Sequence, residues 1–136
     1  MIENMVQARY NASTTQDPHE LAAFETFMFL MGFTVAHEML HLFVGYLVGY
    51  ITPSTPPTVT FLPALYNNVL EDGTEMGESG HAWEGLVFGG TVDAFESRSN
   101  PLGARQAGVL YAIDGNQISR PLDHSCVRRV LTFSRF

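Results

Sequence analysis

His37-Glu38-Met39-Leu40-His41 is the segment of this chain whose residue types and spacing can do chemistry. Two imidazoles four residues apart share one face of a helix, with Cβ atoms about 6 Å apart, so both can bind one ion. Glu38 is turned about 100° from His37, off the ligand axis but within reach of a water on that ion. Zinc bound in this way lowers the pKa of its water to about 7, and Glu38 would take the proton as the water attacks a polarised carbonyl. The bland alternative is two core histidines and a buried glutamate. It is costly, because Met, Leu, Phe and Val offer these polar groups no partners.

A third ligand has to come from later in the chain. Residues 76–88, closed by Gly89-Gly90, read as a short helix with a glycine stop, and they carry Glu78, His81 and Glu84. Glu78 shares a helical face with Ala82 and Leu86 and is the expected ligand. Glu84 pairs with Gly80 and Phe88 on a less apolar face, and His81 lies between the two. The acids left over are expected to hold imidazole N–H groups. Tyr111 and His124 are weaker candidates for stabilising an oxyanion. Arg128-Arg129 reads as a surface charge pair, and Trp83 as core.

These residues resemble the zincin metallopeptidases, whose active-site helix carries H-E-x-x-H. The resemblance covers about 25 residues around Thr34-Val35-Ala36-His37-Glu38-Met39-Leu40-His41, plus the source of the third ligand. The metzincin extension needs Gly and His where this chain has Val44 and Leu47, which excludes that branch. The gluzincin branch takes a Glu from a later helix, which fits Glu78, although the Asp usual four residues on is Ala82 here. Membrane-embedded site-2 proteases also carry H-E-x-x-H, with an Asn-Pro-Asp-Gly segment. Asn100-Pro101-Leu102-Gly103 lacks the ligand Asp, and no second apolar stretch of spanning length follows. The gluzincin-like resemblance implies one Zn2+ ion, with His37, His41 and Glu78 as ligands, Glu38 as general base, and peptide or amide hydrolysis as the reaction.

The elements that must position these residues begin at Asp17-Pro18-His19-Glu20. Asp17 can cap a helix, Pro18 suits its first position, and Glu20 stands three residues after the cap. The helical pattern runs to about Gly49, about 48 Å long, with a break expected near Gly32. Within it, residues 27–51 are apolar enough to span a membrane. His37, Glu38 and His41 near the middle, and the lack of basic flanks, favour a buried helix of a soluble domain. Residues 51–57 read as a Pro/Thr linker, 58–62 and 64–70 as β-like with a turn at Glu71-Asp72-Gly73, and 91–95 as a strand. Residues 109–113 and 117–120 flank Asp114-Gly115-Asn116 as a hairpin. The expected fold is α+β: a small zincin-like domain over 17–136 with a long apolar active-site helix, a second short helix and a small antiparallel sheet. Residues 1–16 are expected to be an irregular lead-in, and 126–133 fit no element clearly.

Charge narrows the partners. The 136 residues are 46% apolar and 15% charged, enough for one buried core and unlike a disordered chain. All seven basic residues are Arg, the net charge is -7, and no basic residue lies between Arg9 and Arg98. Nucleic acid is therefore a poor partner. No Lys or Arg inside that stretch can neutralise Glu38, Glu78 or Glu84, so a divalent cation is the natural counter-charge, unless the Arg-rich tail folds back onto those acids. Cys126 is the sole cysteine, and the first residues lack the pattern of a signal peptide, so a cytoplasmic setting is expected. The expected substrate is a peptide or a small molecule. Competing readings are a lyase, cyclase or small-molecule hydrolase on the same metal site, and a non-catalytic module in which the metal only staples the domain.

Overall fold

The structure, a computed structural model, describes residues 2–49, 55, 56, 58, 59, 68, 69, 73, 75–100, 102, 103 and 106–132. Its described elements, in chain order, are α1 (Ile2–Thr15), α2 (Pro18–Leu47), β1 (Asn68–Val69), β2 (Glu75–Met76), α3 (Ser79–Phe88), β3 (Thr91–Phe95), β4 (Val109–Ile113), β5 (Ser119–Pro121) and α4 (His124–Thr132). The fold is α+β, with a long apolar helix and a three-stranded antiparallel sheet in the order β3-β4-β5. The expected linker over 51–57 and the β-like stretches 58–62 and 64–70 lie largely outside the described residues. Asn68 pairs with Met76 and Val69 with Glu75 in a two-stranded antiparallel ladder.

The chain divides into two compact units. The first holds residues 1–33, 93–111 and 120–136, and the second holds 34–92 and 112–119.

In the first unit the expected irregular lead-in is a helix. The sequence hides it because its bulky apolar residues, Ile2, Val6 and Tyr10, face solvent while Ala8 is buried. Ala8 packs with Ala23 and Phe27, and Met5, Phe24, Leu102 and Ala107 close round them. Asn11 Nδ2 donates to Glu20 Oε1 at 3.0 Å, joining α1 to the one buried residue in the first turn of α2. Asp17 caps α2 as its sequence predicts, its Oδ1 accepting from His19 N at 2.9 Å. The helix passes Gly32 without the expected break. Asp123 opens α4 in the same way, accepting from Ser125 N at 2.7 Å, and Val127 anchors that helix in the core.

In the second unit α2 continues from residue 34 and ends in Gly49 at φ 76°, with Gly49 N donating to Tyr46 O. The core reading of α2 holds for Ala23, Phe27, Phe29 and Phe33, which are buried. It fails beyond them, where Val35, Met39, Leu42, Phe43, Tyr46 and Leu47 are exposed. By length and composition α2 could also cross a membrane. The helix expected over 76–88 starts at Ser79, because Gly77 and Glu78 are extended and bonded to the 55–59 segment. Gly77 N donates to Thr55 O and Glu78 N to Val59 O, both at 2.8 Å. A Cβ at Gly77 would collide with the carbonyl oxygens of Pro56 and Val59, so only glycine permits this approach. The αL residue Gly89 closes α3, as the glycine pair implies.

Candidate metal centre

Two elements of the second unit carry the chemistry, α2 through His37 and His41, and the start of α3 through Glu78, Ser79, Gly80 and Glu84. The spacing of the histidines brings their rings together, and Nε2 of His37 lies 3.2 Å from Nε2 of His41. Glu78 Oε1 completes the group, 3.5 Å from His37 Nε2 and closer still to His41 Nε2. Four-coordinate zinc with bonds of about 2.0–2.1 Å sets its ligand atoms about 3.3 Å apart, so two of the three separations match that ion.

The histidines are held from behind. Glu84 is 2% exposed. Its Oε1 accepts from His37 Nδ1 at 2.6 Å and its Oε2 accepts from Val92 N at 3.0 Å. Ser79 Oγ lies 3.1 Å from His41 Nδ1 and accepts from Thr55 Oγ1 at 3.2 Å. Glu84 fixes the hydrogen of His37 on Nδ1 and turns its Nε2 lone pair inward, while Ser79 Oγ, able to donate or to accept, fits either tautomer of His41. Glu78 Oε1 is a buried atom without a hydrogen-bond partner and lies in ion-pair contact with both imidazoles. With His41 in its Nδ1–H tautomer the three facing atoms are all acceptors, an arrangement that a cation among them stabilises. The donor set of two imidazoles and one carboxylate fits a zinc ion.

The same geometry separates the three candidates for third ligand. Both oxygens of Glu84 are already engaged, and its role is to orient His37. A second grouping of His37, His81 and Glu84 is also compact enough for an ion, but it would have to take Glu84 from His37 Nδ1 and Val92 N. His81 stands edge-on to His37, ring centroids 5.2 Å apart. Glu78 is left as the carboxylate that faces both Nε2 atoms, though not by the route the sequence suggested. It is the N-cap of α3, not a member of a face with Ala82 and Leu86, and Leu86 is 87% exposed. With φ -132° and ψ 91° and no side-chain cap bond, its carboxylate is released from the helix end and reaches the histidines.

Glu38 is exposed, on the solvent side of α2. Tyr111 and His124 belong to the first unit and are occupied there. Tyr111 packs edge-on to Phe95, and His124 Nε2 lies 2.7 Å from Glu25 Oε2. The Arg-rich tail does fold back onto one acid of the N-terminal half, Glu25, which accepts from Arg128 Nε at 2.9 Å.

Sequence reasoning missed Ser79, Thr55 and Gly80. A Cβ at Gly80 would overlap the ring of His37, so the glycine lets α3 close on the imidazole. The signal was present: a glycine inside a helix costs about 1 kcal/mol against alanine and calls for a packing reason. Comparison of the chain with protein-family models, curated proteins and solved structures finds no match.

Proposed function

We propose that this chain is a zinc-dependent hydrolase that cleaves a peptide or amide bond. His37, His41 and Glu78 hold the metal, and Glu38 acts as general base. One observation carries the proposal: Nε2 of His37, Nε2 of His41 and Oε1 of Glu78 converge while Glu84 and Ser79 contact the two imidazoles from behind. Bound zinc supplies Lewis acidity for a carbonyl and acidity for a water. The chain supplies the rest. Glu84 keeps His37 in one tautomer and orientation, and Ser79 orients His41. Glu38, next to a ligand in sequence but outside the ligand set, takes a proton from the attacking water and returns it to the leaving amine.

Exposure separates this reading from a metal staple. Structural zinc sites are closed by four protein ligands, whereas catalytic ones keep a position open. Among the described residues three donors meet, and the side chain of His41 is 30% exposed, which supports the catalytic reading.

The test is zinc content beside turnover of a broad peptide and acyl-amide substrate set. The wild-type chain is expected to bind one zinc, and Glu38→Gln to keep it while turnover falls about 10²- to 10⁴-fold. A wild-type chain free of zinc, or a Glu38→Gln chain with unchanged turnover, overturns the proposal.

A further inference from the structure

In the second unit α2 presents one long, largely exposed apolar face. Val35, Met39, Leu42 and Tyr46 are spaced four, three and four residues apart, the interval of a coiled-coil seam, and Phe43 and Leu47 flank them. All six are more than half exposed, Tyr46 the most at 70%. At 100° per residue they occupy the side of α2 away from His37, and Glu38 falls at the edge between the two faces. The six side chains present on the order of 700 Å² of largely apolar surface, above the roughly 300–600 Å² of the largest patch on ordinary monomers. That area approaches the roughly 800 Å² that each partner gives to a standard interface.

From this we infer that the chain pairs with a second copy of itself through the 35-39-42-46 stripe of α2. A self-complementary stripe packs about a two-fold axis with each helix filling the gaps of the other, and Phe43 and Tyr46 supply aromatic anchors. Charge argues against a lipid surface as the occupant. Interfacial helices carry Lys and Arg beside their apolar face, whereas this chain has no basic residue between Arg9 and Arg98 and a net charge of -7. Pairing would set the second copy beside Glu38 and shield the solvent side of the candidate site, a consequence that rests on the function proposed above. The pairing itself does not depend on it.

Sedimentation equilibrium of the wild-type chain, with and without zinc, tests the inference independently of activity. The expected result is a species of twice the 15.1 kDa chain mass at micromolar concentration. Leu42→Asp is expected to sediment as a monomer with an unchanged circular dichroism spectrum. Tyr46→Lys, at the most exposed position of the stripe, provides a second variant expected to weaken pairing at least tenfold if the first does not fold. A wild-type monomer throughout the micromolar range overturns the inference, as does a dimer indifferent to Tyr46→Lys. So does a monomer that instead partitions onto phosphatidylcholine vesicles, which would assign the stripe to lipid.

Discussion

The carboxylate of Glu84 holds Nδ1 of His37 at 2.6 Å while its other oxygen takes the Val92 amide, so one buried side chain decides which nitrogen of His37 faces the cluster. In the proposed function Glu84 is a support for the ligand set, and Glu78, whose Oε1 is a buried atom without a hydrogen-bond partner, is a member of it. The two acids should therefore respond differently to substitution. Glu84→Gln is expected to keep one zinc per chain at saturation but to weaken affinity about 10- to 100-fold, the usual effect of removing a ligand's hydrogen-bonded support. Glu78→Ala should lose more, since it removes a donor atom. Competition against a chromogenic chelator measures both. If Glu84→Gln proved the more damaging of the two, the assignment of ligand and support would have to be exchanged.

Gly80 and His37 test the packing of α3 on α2. At an unconstrained helical position Gly→Ala stabilises by about 1 kcal/mol. Here the added methyl would occupy the space of the imidazole ring, so the sign should reverse, to a loss of about 1–3 kcal/mol, as in other overpacked interiors. Urea denaturation of Gly80→Ala gives the sign directly. A stabilised variant would mean that α3 does not sit against His37 as described.

The parts of this structure legible in the sequence are those specified by neighbouring residues. Asp17-Pro18 caps α2 through contacts two residues apart, Gly89 stops α3, β3 and β4 follow their apolar runs, and β5 follows the Asp114 turn. The histidine pair is legible for the same reason, because helical spacing alone brings the two rings together. What the sequence conceals depends on distant partners. The lead-in is helical because Ala8 meets Ala23 and Phe27, while the residues that would advertise an amphipathic helix point outward. The α4 helix was equally unreadable, since the residue that fixes its face, Glu25, lies about a hundred positions earlier. Glu78 was identified through a helical face it does not occupy. The extended Gly77-Glu78 step that aims it depends on backbone bonds to Thr55 and Val59, which no periodicity records.

Glu25, His124 and Arg128 form an electrostatic contact whose pH dependence has a definite sign. Burial raises the Glu25 carboxyl, but hydrogen bonds from Arg128 and His124 and their charges outweigh it and hold the group below its ordinary value of 4.5. A carboxylate depressed in the folded state contributes stability that is fully present above the unfolded value and is lost as pH falls through the folded one. Glu25→Gln should therefore melt about 2–5 °C below the wild type at pH 7, and the gap should narrow as the pH falls below 4.5 and the wild-type carboxyl takes up its proton. Arg128→Gln should narrow the same gap at pH 7, because Arg128 is one of the two donors that hold Glu25 down. Thermal melts of the three proteins across that range measure the effect. A gap of equal size at pH 3 and pH 7 would trace it to lost packing around Glu25 and remove the charge pair from the account of how α4 is held.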